Sequence, residues 1–272
     1  MPTLFVVATP IGNLEDITLR AMRILKEVSL IAAEDTRHTL KLLNAMGIKT
    51  PLTSYYEHNK STKLDYVLDQ LEKGDVALVS DAGTPGIADP GSELIAAAIK
   101  RGFRVEAVPG PSAVMTALVV SGLPTAQFKF IAFLPRKVSE RRTVIQELSG
   151  ETATIVFLEA PHRFRTTAEA LLEGLGDRRV AICRELTKIH EEVFRGKISD
   201  ALAHFIEPRG EFVLVVEGKG IVEAKPMPVN EVETQLCKLK RNGVSAKEAT
   251  TMLADKMGLS RRELYKAWLK LE

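Results

Sequence analysis

The chain is poor in the residues that build disulfide frameworks and metal sites. Only two of its 272 residues are cysteine, Cys183 and Cys237, far apart and not in a CxxC pair, so neither a disulfide scaffold nor a zinc or redox pair is expected. That usage suits a reducing, cytoplasmic setting. The five histidines, His38, His58, His162, His190 and His204, show no HxxxH or HExxH spacing, so metal chemistry is only weakly supported. No GxGxxG fingerprint, GxxxxGK[ST] loop or GxSxG elbow is present, which argues against a dinucleotide site, a P-loop and a serine hydrolase. No apolar run approaches a membrane span. The short apolar run over 4–8 has no basic region before it and reads as a first strand, not a signal peptide.

What remains is an ordinary globular balance, 45% hydrophobic and 26% charged, in a chain long enough for two domains. The net charge of +2 hides an asymmetry: residues 225–272 hold ten Lys/Arg against six Asp/Glu, leaving 27 against 29 in the body. A basic tail is a possible handle for an anionic polymer or simply a solvated helical surface.

The densest signal is LVSDAGTPGIADPG over 78–91, where an apolar strand runs into a loop of three glycines and two prolines. Glycine lets the backbone approach a ligand and proline stiffens the path, so the loop is shaped before anything binds. Short apolar runs at 4–8, 30–33, 52–55, 76–80 and 105–108 alternate with helical patterns at 17–27, 63–73 and 92–101. This alternation predicts a mostly parallel wound sheet, although strand order is not readable. After a helix over 113–121, strands at 128–134, 154–158, 180–183, 192–194 and 212–216, with helices at 140–149 and 163–175, predict a mixed α+β domain. Pro226 and Pro228 mark a linker to a small helical module with a turn at 258–260, Ser260 as N-cap, and Arg261, Arg262, Lys266 and Lys270 on or near its last helix. That module suits nucleic-acid contact and a plain helical hairpin equally well. The fold class is therefore α/β, with an N-terminal α/β domain over 1–118, an α+β domain over 119–224 and a helix-turn-helix-like basic tail over 225–272.

Loops at 9–13, 80–91 and 109–113 follow strands of the parallel sheet and should gather at one edge as a pocket. It offers backbone groups, small residues, Asp81 and Ser112 but no phosphate signature, which suits a neutral or zwitterionic nucleoside-like ligand. Four charged clusters also follow strands: EDTRH at 34–38, PRK at 135–137, EAPHR at 159–163 and RELTK at 184–188. Arg37, Arg136, Lys137, Arg163 and Arg184 could grip phosphates there, and a carboxylate such as Glu159, or a Lys or His, could manage a proton.

Together the motifs ATPIGNLEDITLRA, AAEDTRHTLKLL, SYYEHN, LVSDAGTPGIADPG, VPGPSAV, FLPRK, FLEAPHR, CRELTK and GEFVLVVEG resemble the tetrapyrrole (corrin/porphyrin) methylase superfamily. More narrowly, they look like its branch that methylates a cytidine ribose 2′-oxygen in bacterial 16S rRNA. The resemblance covers residues 4–218, and the tail is similar to a helix-turn-helix extension of some members. It implies a two-domain methyltransferase, usually a homodimer, with S-adenosylmethionine between the domains and 16S rRNA or the small ribosomal subunit as partner. By the same resemblance, Asp81, Ala82, Gly83, Ile87 and Ala88 wrap the cofactor. Pro10, Ser112, Ala113, Leu158, Leu186 and Phe212 line it. Tetrapyrrole enzymes carry a shorter loop here and lack EDTRHT, FLPRK and APHR, which fit an anionic RNA better. Glu34, Lys137, Glu159 and Arg163 are the candidates for orientation or proton handling, and Arg37, Arg136, His162 and Arg184 for holding RNA, joined in the tail by Arg261 and Arg262. A tetrapyrrole-precursor methylase and a non-catalytic RNA-binding assembly factor are the alternatives.

Overall fold

The computed structural model describes residues 1–56, 60–220, 229–257 and 261–269. The chain divides into two compact units, Met1–Lys219 and Gly220–Glu272. In the first, β1 (Thr3–Val7), β2 (Leu30–Ala33), β3 (Leu52–Ser54), β4 (Val76–Val79) and β5 (Arg104–Val108) form a parallel sheet in the order β3-β2-β4-β1-β5. Between them run α1 (Leu19–Glu27), α2 (Thr36–Ala45), α3 (Lys60–Leu71) and α4 (Ser92–Lys100), and α5 (Ala113–Ser121) follows β5. The apolar runs are continuous because both faces are covered: Ala77 and Val79 pack with Ile24 and Leu43, while Val76 and Leu78 pack with Leu68 and Leu94. The order also brings β4, β1 and β5 side by side, so the loops after these strands are neighbours at the carboxyl edge.

The second sheet of this unit contains β6 (Phe128–Ala132), β7 (Thr154–Glu159), β8 (Arg179–Arg184), β9 (Glu192–Lys197) and β10 (Phe212–Val216), in the order β6-β7-β10-β8-β9. Only β6 and β7 pair in parallel; β10 and β9 run antiparallel to their neighbours, so the sheet is mixed. One face is covered by α6 (Val138–Glu147), α7 (Pro161–Leu175) and α8 (Ile198–His204), where Phe164, Phe205 and Phe212 meet ring to ring. The other face takes Ala117 and Leu118 of α5, together with Ile11. Two helices of this unit escape the sequence reading. In α2, Thr36, Arg37 and His38 look like a charged turn, yet Asp35 caps the helix by accepting the Arg37 N–H at 2.8 Å. The other is α8, only seven residues long.

The second unit holds α9 (Val229–Arg241), α10 (Ala246–Met257) and α11 (Arg261–Trp268) around Leu236, Leu253 and Leu264. Ser245 and Glu248 form a reciprocal capping box before α10. A helix before α10 was not anticipated. The turn at 258–260 with Ser260, the prolines Pro226 and Pro228, Lys270 and His58 lie outside the described residues. Among the described residues, no helix is long and apolar enough to cross a membrane.

Candidate functional site

Three loops meet at the carboxyl edge of the parallel sheet. Thr9 and Gly83 exchange backbone hydrogen bonds at 2.9 and 3.0 Å, and the Thr9 hydroxyl donates to the Ser80 carbonyl at 3.2 Å. Gly83 stands at φ 75°, and a Cβ there would lie 3.6 Å from Ile11 and 3.8 Å from the Pro111 carbonyl. Loop 80–91 is thus stitched to the loops after β1 and β5. At its far end Gly91, at φ 139°, leaves no room for a side chain, since a Cβ would come within 2.8 Å of Leu78. Ala88 at φ 66° takes the same left-handed region without being glycine.

These loops face the second sheet across a cavity of about 550 Å³. Of the positions expected to line a cofactor, Ala82, Gly83, Ile87, Ser112 and Ala113 form one wall, and Leu158, Leu186 and Phe212 belong to the opposite one. Pro10, Asp81 and Ala88 do not line the cavity. The sequence reading passed over Ile11, Asp89, Phe130, Phe133 and Cys183, which do. Strand alternation held a signal for one of them, because Cys183 shares the inner face with Val213 and Val215. Burial pushes the Cys183 thiol up to about 12, so it is an apolar lining group and not a nucleophile.

Behind loop 80–91 the charged residues lock two strand ends together. The Asp81 N–H donates to Glu34 Oε2 at 3.3 Å, and the Asp35 N–H donates to Asp81 Oδ1 at 3.0 Å. Burial raises the Glu34 carboxyl above its ordinary range; the Asp81 N–H opposes this, and Asp89, Asp81 and Asp35 add to it. Asp89 is likewise raised by burial, opposed by a Ser80 hydrogen bond and helped by Asp81. Asp35 is held well below the carboxylate range by hydrogen bonds from Arg37, whose guanidinium lies 2.7 Å away. Glu34 and Arg37 therefore sit at the end of β2, outside the cavity lining.

On the opposite wall Glu159 is buried with every oxygen engaged. Its Oε1 accepts the Ala160 N–H at 2.9 Å and pairs with Arg163 Nε at 3.3 Å, and its Oε2 accepts the Thr167 hydroxyl at 2.5 Å. Arg163 then donates to the Leu134 carbonyl at 2.5 Å. Arg136 and Lys137 follow on the exposed loop before α6, and His162 stands exposed at the start of α7 on the cavity wall. Arg184 lies outside the cavity lining and pairs with Glu192 at 2.9 Å, whose other oxygen meets His204 at 2.6 Å. Arg261 and Arg262 are exposed at the start of α11 in the second unit. Among the described residues, no group of three or more His, Cys, Asp and Glu could hold a metal ion.

Residues 3–202 match the family described as tetrapyrrole (corrin/porphyrin) methylases. A protein of Halalkalibacterium halodurans named ribosomal RNA small subunit methyltransferase I is 48% identical, over 97% of this chain and 93% of its own length. A Thermotoga maritima protein of the same name is 49% identical; the match covers all of that protein and 80% of this chain. Among solved structures, a uroporphyrin-III-C-methyltransferase from Thermus thermophilus shares the fold with a TM-score of 0.57 at 22% identity, over 79% of this chain and 94% of that one.

Proposed function

The chain belongs to the tetrapyrrole (corrin/porphyrin) methylase family, and on that premise we propose that it methylates the ribose 2′-oxygen of a cytidine in the decoding region of 16S rRNA. The coarser statement is firm: it is an S-adenosylmethionine-dependent methyltransferase whose relatives are named for ribosomal RNA. The observation that carries the finer reading is the cavity with its rim. Its wall is largely apolar, with small residues and a few polar groups such as Ser112 and Asp89, and its volume suits a nucleoside-sized ligand. Ala82, Gly83, Ser112, Ala113, Leu158, Leu186 and Phe212 would hold the cofactor, which supplies an electrophilic sulfonium methyl when bound. His162 lines the cavity, and exposed Arg136 and Lys137 follow shortly after the lining residue Phe133, which suits an anionic acceptor such as RNA.

A 2′-hydroxyl is a weak nucleophile, so in-line alignment is the main requirement, with a group accepting its proton late. In this reading Glu159 and Arg163 orient the wall and do not handle the proton, because hydrogen bonds already occupy both Glu159 oxygens. Glu34, outside the cavity lining and hydrogen-bonded to the Asp81 N–H, orients loop 80–91, which leaves Lys137 as the candidate for proton handling. Arg37 and Arg184 hold RNA beyond the cavity, and Arg261 and Arg262 offer a further contact in the tail. The protein acts as a homodimer in the cytoplasm. What supports the dimer is α5, apolar at nearly every position, which leaves Met115 and Val119 exposed where a covered face is the rule. Incubation with labelled cofactor and either small-subunit RNA or a tetrapyrrole precursor tests the function: label in RNA supports it, and label only in the tetrapyrrole overturns it.

A further inference from the structure

The exit of β6 is built against conformational preference. Its register against β7 shifts between Phe130 and Ala132, and Ala132 stands at φ 55°, a left-handed conformation that L-residues other than glycine seldom adopt. Bulges of this kind re-aim side chains beside active sites. Two arginines with little exposure hold the chain that follows. Arg163 donates to the Leu134 carbonyl at 2.5 Å, and Arg141 donates to the Arg136 carbonyl at 3.4 Å.

The side chain aimed by this arrangement is Phe133. It forms part of the cavity wall and is still 51% exposed, while its neighbour Leu134 is fully packed. A large aromatic ring held half in water by a bulged and twice-anchored backbone is placed for something that arrives. The charges nearby limit what that is. Arg136 and Lys137 are exposed on the same loop, Arg136 makes no ion pair among the described residues, and His162 lines the same cavity. A ring displayed beside exposed Arg136, with Lys137 paired to Glu140 at 3.1 Å, is a composition that takes an unpaired base together with a phosphate.

We propose that Phe133 is a specificity-determining residue whose ring stacks on the base of the acceptor nucleotide at the cavity mouth, with Arg136 on an adjacent phosphate. The proposal rests on the ribosomal RNA reading above. A nucleotide whose 2′-oxygen must reach into a cavity leaves its own stack, and an aromatic face restores part of what is lost.

The test uses the full chain, with unmodified small ribosomal subunits as substrate, and compares Phe133→Ala with Phe133→Tyr. The alanine variant should raise KM for the subunit roughly tenfold, the loss expected for one base–aromatic contact, and leave cofactor affinity by calorimetry unchanged. The tyrosine variant should stay within about twofold of wild type, since it keeps the stacking face. A Phe133→Trp variant made in a Trp268→Phe background should lose fluorescence when the subunit is added, the single native tryptophan having been removed. An unchanged KM in the alanine variant, weakened cofactor binding, or a tyrosine variant as impaired as alanine overturns the stacking role. If the wild-type chain transfers no methyl to the subunit, the ribosomal RNA reading itself fails, and the stacking with it.

Discussion

Glu159 at the end of β7 and Arg163 in the first turn of α7 form a largely buried ion pair, with the carboxylate 1% exposed and 3.3 Å from Nε. Because Arg163 also reaches the Leu134 carbonyl, this pair connects the end of β7 to the loop that carries Arg136 and Lys137. Breaking one side strands a charge in a dry site and orphans the Thr167 hydroxyl as well. Glu159→Ala should therefore cost about 3–5 kcal/mol of stability by denaturant unfolding. The exposed Arg136→Ala should stay within about 0.5 kcal/mol of wild type.

Arg136 is expected to act on affinity. Arg136→Ala should weaken RNA binding and flatten its salt dependence while leaving the single-turnover rate at saturating RNA unchanged. A large loss of that rate would show that the guanidinium acts on the reacting atoms.

Glu34 carries a pH signature whose sign is opposite to that of a salt-bridged carboxylate. Its folded pKa is raised, chiefly by burial, so the native state binds more protons than the unfolded chain from the ordinary carboxylate range up to the raised value. Stability therefore falls as pH rises through that window and stays lower above it. Glu34→Gln keeps an acceptor for the Asp81 N–H and removes the charge, so it should raise the melting temperature at neutral pH and make no difference at pH values below the ordinary glutamate range. Equal effects at both ends, by calorimetry, would mean that the charge is not the cause.

Much of this architecture is legible in the sequence because each level carries its own signal. Each of the ten described strands coincides with a run anticipated in the sequence, most of them apolar, and the convergence of loops 9–13, 80–91 and 109–113 follows from parallel strands alone. The strand order is not legible, since nothing local in β1 tells it to lie between β4 and β5. Helix α2 is hidden because its opening residues are charged and its cap, Asp35, also makes an ion pair. Phe133 is hidden for a different reason: its direction depends on a bulge and on arginines from two later helices. Charge clusters give position without role, which is why Glu159 reads as a proton handler until its hydrogen bonds are seen.

The second unit is compact and has its own core around Leu236, Leu253 and Leu264. Ending the chain after Lys219 should leave cofactor affinity within about twofold and lower RNA affinity several-fold through lost Lys and Arg contacts. Equal loss of cofactor binding and RNA methylation would contradict a docking role for Arg261 and Arg262.

The central claim, methyl transfer to one ribose in the decoding region, is tested most directly by mass spectrometry of nuclease fragments of 16S rRNA incubated with S-adenosylmethionine, with and without the protein. The account predicts one enzyme-dependent methyl group, on the ribose 2′-oxygen of a single decoding-region cytidine. A methyl on a base, on another nucleotide, or nowhere in the RNA would contradict it.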